Sequence, residues 1–308
     1  MKKLLSIVLI AQSLNLFSQN ITQERITEIV STLADDKMKG RKFGTPENDS
    51  AAVYIAKQFA ANKLDFCVGD SYLISFEHKG IKGYNVCGIK KGKSEKILGF
   101  SGHFDHIGTN NKEGDNINNG ADDNASGVSM VIGISDYFKK KKTDFTLMFL
   151  GLNAEEGGLI GSRYLADDPR MEKIVNNMTA LFNFEMLGTE SQWGKNAVYM
   201  TGDDFSDFDE LINKHAVNGL KVHPDPYVGQ KLFYRSDNVN FVKKKVIAHA
   251  ISTVDMRKAK HYHQVSDDIS VIDFENLTNL VNNFIKTIEK LNTKNFAPKY
   301  NETVDFNL

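Results

Sequence analysis

The chain has 308 residues, of which 41% are hydrophobic and 25% are charged. This is the composition of a globular protein with enough chain to bury a large core. The formal net charge of −1 and the pI near 6.7 give no overall field that would attract nucleic acid or membrane lipid, so we expect neither as a partner.

Residues 1–18 have the pattern of a secretory signal peptide. Lys2 and Lys3 form a positive start, residues 4–11 are apolar, and small or polar residues near Ser18 suit cleavage. The apolar stretch is too short to span a bilayer. We therefore predict a signal peptide over 1–18 and a single domain over 19–308, secreted or periplasmic, with the oligomeric state left open.

The two cysteines, Cys67 and Cys87, flank strand-like segments. Export permits a disulfide between them, and two buried free thiols fit the sequence equally well. Their spacing is not that of a metal site.

Helical and strand-like patterns alternate along the chain. Asn20 and Gln23 resemble a capping box that opens a helix with Ile26, Ile29 and Leu33 on its apolar face. A second helix carries Ile55 and Phe59, and further helices are predicted over 124–138, 205–217 and 274–291. Predicted strands are 71–77, 83–89, 96–101, 144–152, 178–184, 197–201 and 246–252. This order predicts an α/β single domain with a mixed, largely parallel central sheet and helices on both faces.

Two adjacent glutamates, Glu155 and Glu156, follow the predicted strand 144–152. In open α/β sheets, ligands bind beyond the carboxyl ends of the strands. Neighbouring carboxylates in a crevice repel unless one is neutral or a cation is present. With a metal bound, one can be a ligand and the other a general base. The alternative interpretation is a solvated pair in a loop.

A histidine and an aspartate follow the predicted strand 96–101. Alternation in an extended segment places His103 and Asp105 on the same side, where the carboxylate can orient a metal-binding imidazole. The next histidine, His106, is interpreted as structural.

Three further segments supply candidate ligands. Asp123 opens the predicted helix 124–138, and its neighbour Asp122 suits an N-cap. Glu185 follows the predicted strand 178–184. If its carboxylate is buried there, it needs a partner such as a metal; the alternative interpretation is that the side chain turns out to solvent.

His263 can bind a metal, and Tyr262 offers a hydroxyl beside it. His261 is interpreted as a surface residue.

Two histidines, three candidate carboxylate ligands and one spare carboxylate form a mixed nitrogen and oxygen set. Such a set suits two Zn²⁺ ions per chain with one carboxylate bridging them. The charge of two dications nearly neutralises Asp123, Glu156 and Glu185, and bridged ions can activate a shared water and hold a tetrahedral oxyanion.

The order of these motifs is more specific than any one of them. It resembles the dizinc aminopeptidase family, which also includes glutamate carboxypeptidase and glutaminyl cyclase, over nearly all of residues 19–308. The motifs are His103-x-Asp105, Asp123-Asn-Ala-Ser-Gly, Ala-Glu155-Glu156-x-Gly, Asn-x-Glu185-Met-x-Gly and Tyr262-His263-x-x-x-Asp267.

The resemblance implies metal ligands and catalytic roles. One zinc would take His103 and Glu185, the other would take Glu156 and His263, and Asp123 would bridge them. The catalytic residues would be Glu155 as general base, Tyr262 as a donor to the oxyanion and Asp105 as the residue that orients His103. The resemblance also implies a cis peptide bond after the bridging aspartate.

The main hypothesis is a secreted dizinc aminopeptidase that hydrolyses N-terminal residues from peptides. One departure from the family pattern bears on substrate class, because the ligand position of Glu185 is more often an aspartate. The alternatives are a glutaminyl-cyclase-like acyltransferase with a single zinc and a catalytically inactive binding ectodomain of the same fold.

Overall fold

The computed structural model describes residues 20–111, 113–302, 304 and 306. The predicted signal peptide therefore lies outside the described residues. Within the described part of the chain, no helix is both long and apolar enough to cross a membrane.

Among the described residues there are eleven strands, and nine of them form one sheet. In that sheet the order along the main path is β1-β3-β7-β4-β8-β11-β9-β10, and β2 pairs with β3 outside the path. The strands are β1 (Asp65–Phe66), β2 (Leu73–His78), β3 (Ile81–Lys90), β4 (Ile97–His103), β5 (Gly108–Thr109), β6 (Ile117–Asn118), β7 (Thr146–Leu152), β8 (Met178–Phe184), β9 (Ala197–Met200), β10 (Lys221–Pro224) and β11 (Ile247–Ser252).

The centre of the sheet is parallel and its flanks are mixed. The neighbours β7, β4, β8 and β11 all run in the same direction, whereas β3 joins β7 and β9 joins β11 in antiparallel fashion. Every residue of β4 and β7 is buried, which explains why both read as continuous apolar runs rather than alternating ones.

Helices cover both faces of this sheet. Phe149 and Leu150 are neighbours on β7, yet they belong to different apolar clusters because successive strand residues point to opposite faces. The first cluster includes residues of α1, α2, α3, α6 and α8, and the second includes residues of α4, α5 and α7. The helices are α1 (Gln23–Leu33), α2 (Pro46–Ala61), α3 (Gly127–Phe138), α4 (Ile160–Asp167), α5 (Glu172–Asn176), α6 (Phe208–His215), α7 (Asn238–Val242) and α8 (Phe274–Leu291). The predicted fold class is confirmed.

Three helix starts differ from the sequence prediction, and one of them is α6, which begins at Phe208 rather than at residue 205. Helix α1 begins at Gln23, where the Thr22 side chain accepts a hydrogen bond from the Arg25 amide, so Asn20 is not its cap. Helix α3 begins at Gly127 rather than near residue 124, because residues 121–126 form a separate π-type turn. This turn contains the cis peptide bond between Asp123 and Asn124 that the resemblance implied.

Cys67 and Cys87 form a disulfide, which settles the question that the sequence left open. Their Cα atoms are 5.8 Å apart, and Cys87 lies fully buried in β3. The bond joins the segment after β1 to strand β3.

Candidate metal centre and active site

The predicted ligands gather where the central parallel strands end. His103 is the last residue of β4, Glu185 follows the last residue of β8, and Glu156 lies four residues beyond the end of β7. Because these three strands are adjacent and parallel, their carboxyl ends meet at one edge of the sheet.

Asp123 comes to the same place from the turn before α3. The carboxylate of Asp267 holds this turn, because it accepts hydrogen bonds from the amides of Asp122 and Asp123 at 2.8 and 3.0 Å. The Asn124 side chain adds a second attachment through a hydrogen bond to the carbonyl of Phe184. The bridging candidate is therefore fixed by its backbone, which leaves its side-chain oxygens free to face the site.

Asp123 presents one oxygen to each of two histidine–glutamate pairs. Its Oδ1 lies 3.2 Å from His103 Nε2, which lies 3.0 Å from Glu185 Oε1. Its Oδ2 lies 3.3 Å from His263 Nε2, which lies 3.0 Å from Glu156 Oε2. All five predicted ligands therefore converge around one carboxylate.

These distances fit a pair of divalent metal ions. Ligands bound at 2.0–2.1 Å in a tetrahedral arrangement lie roughly 3.3 Å from one another. The buried Nε2 atom of His263 has no hydrogen-bond partner among the described residues, although two carboxylate oxygens lie within 3.3 Å. Close approach without hydrogen-bond alignment is expected of two ligands that share a metal.

The charges of the site shift the pKa values of both histidines. Burial alone lowers the pKa of His103, but the carboxylates of Glu185 and Glu155 outweigh it and raise that pKa well above its ordinary value. The nearby carboxylates of Asp123 and Glu156 raise the pKa of His263 to about 10, and burial opposes this shift. Without metal, this cluster of acids therefore holds protons on both imidazoles.

Glu155 lines the cavity beside the ligands. Desolvation by burial raises its pKa well above the usual range, and the nearby carboxylates of Glu185, Asp237 and Glu156 add to this effect, while His103 opposes it. A carboxylate with a raised pKa next to a metal pair suits a general base.

Asp105 contacts His103 differently from the prediction. The closest contact to His103 Nδ1 is the backbone carbonyl of Asp105 at 3.1 Å, while its carboxylate lies 3.7 Å away. That carboxylate accepts hydrogen bonds from the amides of Glu155 and Glu156 at 3.0 and 3.2 Å. Asp105 thus joins the end of β4 to the loop that carries both glutamates.

Tyr262 lies against the second histidine of the ligand set. Its ring stacks on that of His263, with centroids 3.9 Å apart and planes 21° apart. Burial raises the pKa of Tyr262, and the nearby acids Asp123 and Glu156 raise it further. The hydroxyl therefore keeps its proton at neutral pH and remains a hydrogen-bond donor.

Three polar residues that the sequence analysis did not assign support the site. His106, interpreted as structural, donates a hydrogen bond from Nδ1 to Glu156 Oε1 at 2.8 Å. Ser236 donates to Glu185 Oε2 at 2.7 Å, and His261, interpreted as a surface residue, lies 3.0 Å from the buried Asp122. His106 lies three residues after His103, and this proximity was the only feature of the sequence that could have indicated its role beside the site.

Arg41 lies fully buried beneath the site. Its guanidinium donates to the carbonyls of Phe104, Leu33, Asn119 and Gly120. These carbonyls come from the segment after β4, from α1 and from the segment before the 121–126 turn, so one cation joins three parts of the chain. Desolvation lowers the pKa of Arg41 to about 10, while the acids around the site, led by Asp267, oppose this shift.

A cavity opens beside Glu155 and Tyr262. Its wall is mainly apolar, with buried Met186, Tyr199 and Val254. A largely apolar cavity with polar groups at one end is the usual form of a small-substrate site.

Solved structures share this fold. The chain superposes on an aminopeptidase from Aneurinibacillus sp. strain AM-1 with a TM-score of 0.69 and 15% identity, over 93% of this chain and 96% of that one. It superposes on glutaminyl cyclase from Bacteroides thetaiotaomicron with a TM-score of 0.68 and 17% identity, over 88% of this chain and 98% of that one. These likenesses support the predicted fold class, a single α/β domain with a mixed, largely parallel central sheet.

Residues 85–288 match peptidase family M28, which is more than half of the chain, so the chain belongs to this family. A curated relative is the aminopeptidase YwaD of Bacillus subtilis, 32% identical over 114 residues. That alignment covers 36% of this chain and 23% of YwaD, so this chain matches less than a quarter of the relative's length.

Proposed function

We propose that this protein is a zinc aminopeptidase that removes N-terminal residues from peptides. The observation that carries the proposal is that Asp123 offers one oxygen to each of two histidine–glutamate pairs, with Glu155 beside them. Two relatives named as aminopeptidases and membership of a peptidase family support it.

In this proposal, His103, Asp123, Glu156, Glu185 and His263 would hold two zinc ions. Bound there, zinc supplies Lewis acidity and lowers the pKa of a water molecule. Glu155 accepts a proton from the attacking water and returns it to the leaving amine, because its raised pKa suits both transfers.

The remaining groups of the proposed mechanism act on charge and position. Tyr262 donates its hydroxyl hydrogen to the oxyanion that develops on the peptide carbonyl. Asp105 fixes the amides of Glu155 and Glu156, so the base and its neighbouring ligand keep a constant separation.

The cyclase alternative requires a different metal content. Since one of the solved structures with this fold is a glutaminyl cyclase, the fold does not separate the two activities. The complete set of five ligands around Asp123 favours two ions over one. Zinc counting separates the two candidates, with about two ions per chain expected here.

We also propose that the protein acts outside the cytoplasm. The signal-like residues 1–18 support this location, and so does the disulfide between Cys67 and Cys87, since such bonds persist in oxidising compartments.

The central test is Glu155→Gln, assayed on aminoacyl and N-blocked peptides with zinc analysis on the same sample. Removing the base should lower kcat by about 10²–10⁴-fold and leave zinc content unchanged, because Glu155 is not a ligand. Only peptides with a free N-terminus should be cleaved by the wild-type protein.

Glu156→Gln is the matched control, because it changes the adjacent ligand by the same chemistry. It should lower zinc content as well as activity. Near-normal activity in a zinc-replete Glu155→Gln protein would refute the base assignment, and cleavage of the N-blocked peptides alone would refute aminopeptidase specificity.

A further inference from the structure

Both glutamates proposed as ligands are held through one oxygen by a residue outside the ligand set. Glu156 accepts from His106 on Oε1, and its Oε2 faces His263. Glu185 accepts from Ser236 on Oε2, and its Oε1 faces His103. In each case one oxygen is anchored to the protein and the other faces the site.

His106 has the geometry of a hydrogen-bond donor. Its Nδ1 lies 2.8 Å from Glu156 Oε1 in hydrogen-bond alignment, but 3.8 Å from Asp123 Oδ2. An ionised carboxylate only accepts hydrogen bonds, so Nδ1 carries the hydrogen in this contact. The proposed ligand nitrogens differ in geometry, because His103 Nε2 and His263 Nε2 each lie within 3.3 Å of two carboxylates, although that of His103 is also hydrogen-bonded to Glu185. His106 Nδ1 comes this close to Glu156 only.

The ring of His106 is fixed on several sides. It is buried, and it meets the His263 ring edge to face at a centroid distance of 5.6 Å. A Cβ atom at Gly120 would lie 2.6 Å from its Cγ, so only glycine leaves room for the imidazole there. Gly120 has φ of 62°, in the left-handed region that glycine adopts without strain. A ring held so closely can fix the carboxylate to which it donates.

We propose that His106 is a positioning residue that keeps Glu156 bound to its metal through a single oxygen, and that it acts on one of the two metal sites only. This inference rests on the proposed function, because it assumes the two ions around Asp123. The His103–Glu185 site has its own anchor in Ser236, so loss of the His106 hydrogen bond should leave that site unchanged.

His106, Asp123 and Glu156 also form a group that could itself hold a metal. In that case His106 would be a ligand in place of His263. The two interpretations differ in what can replace the imidazole. The side-chain amide of asparagine can supply the Nδ1 hydrogen bond but is a poor zinc ligand, so it can replace a donor but not a ligand.

The test compares His106→Leu and His106→Asn, which have similar size and differ in hydrogen bonding. Zinc affinities are measured by competition with a chelator, and zinc-free proteins are compared by thermal unfolding to show that both variants fold. His106→Leu should bind one of its two zinc ions about 10–100-fold more weakly, because losing a hydrogen bond that orients a metal-binding carboxylate costs that much affinity. His106→Asn should recover most of the loss, and excess zinc should restore the activity of His106→Leu.

Two further variants assign the weakened site. His263→Ala removes a ligand of the same site, so His106→Leu in that background should leave the affinity of the remaining zinc unchanged. Ser236→Ala is the matched control, since it removes the equivalent hydrogen bond to Glu185 and should weaken the other zinc.

The possible outcomes either support or overturn the positioning role of His106. Selective weakening in His106→Leu with recovery in His106→Asn supports the proposal. If His106→Leu binds two zinc ions with wild-type affinity, the proposal is overturned. It is also overturned if His106→Leu and His106→Asn lose the same amount of zinc affinity, because that result would show that His106 is itself a ligand. A wild-type protein that binds fewer than two zinc ions would instead refute the proposed function.

Discussion

Two imidazoles, His103 and His263, set how the metal-free site responds to pH. Both have raised pKa values because carboxylates face them, to about 10 for His263. A zinc ion can bind only the unprotonated nitrogen, so protons and metal compete for the same atoms. The acids that make the site attractive to a cation also keep it protonated when it is empty.

We therefore expect zinc binding near pH 7 to release about two protons per chain, one from each histidine. Below the raised pKa values each imidazole must lose a proton to bind zinc, so the apparent zinc affinity should rise with pH up to about 10, where His263 becomes neutral in the metal-free protein. Calorimetric titration in two buffers of different ionisation enthalpy measures the proton count. His263→Ala should release about one proton fewer, and a wild-type count of zero would show that the histidines are already neutral.

The convergence of His103 and Glu185 could be predicted from the sequence for a physical reason. His103 and Glu185 lie at the ends of apolar segments that read clearly as strands, and strand ends meet at one edge of a parallel sheet. Asp237 was not predictable as a buried group. It sits in the described structure with both carboxylate oxygens lacking a hydrogen-bond partner, and burial raises its pKa to about 7. Its burial depends on packing between distant segments, which no local pattern records.

Among the elements, long apolar segments were predicted well and short polar ones were missed. Strand β8 and helix α8 have the predicted bounds. Their seven and eighteen residues follow one pattern throughout, so the sequence shows clearly where each element begins and ends. Helices α5 and α7 have five residues each and were not predicted, since so short a segment gains its stability from packing rather than from its own pattern.

The link between β1 and β3 gives a stability prediction at this scale. Cys67 and Cys87 are separated by 20 residues, and closing a loop of that length should stabilise the fold by about 3 kcal/mol. Replacing both residues, as Cys67→Ser with Cys87→Ala, should lower the free energy of unfolding by about this amount. Denaturant unfolding with and without a thiol reductant measures it.

The reductant provides the control for this prediction. It should destabilise the wild-type protein towards the level of the double variant and leave the variant unchanged. Equal stability of the oxidised and reduced wild-type proteins would show that the bond contributes nothing to the fold.

At the scale of the whole molecule, the fold class and its mixed central sheet were predicted correctly, and the division into residues 1–18 and 19–308 stays a prediction. The alternation of helices and strands was sufficient for the architecture. It did not give the antiparallel joins of β3 to β7 and of β9 to β11, because strand direction at the flanks depends on connections whose geometry is set by tertiary contacts.

The buried guanidinium of Arg41 has a consequence for where the minimal folding unit begins. The M28 match starts at residue 85, yet Arg41 donates to Phe104, Asn119 and Gly120 inside the matched part, and α2 packs Ile55 and Phe59 into the main apolar cluster. A fragment limited to 85–288 would lack this cation and uncover that cluster. We expect such a fragment to show no cooperative thermal transition by circular dichroism, whereas the chain from residue 20 onwards should unfold in one. A cooperative transition in the fragment, at a melting temperature close to that of the longer chain, would show that residues 85–288 fold on their own and do not need α1 and α2 for stability.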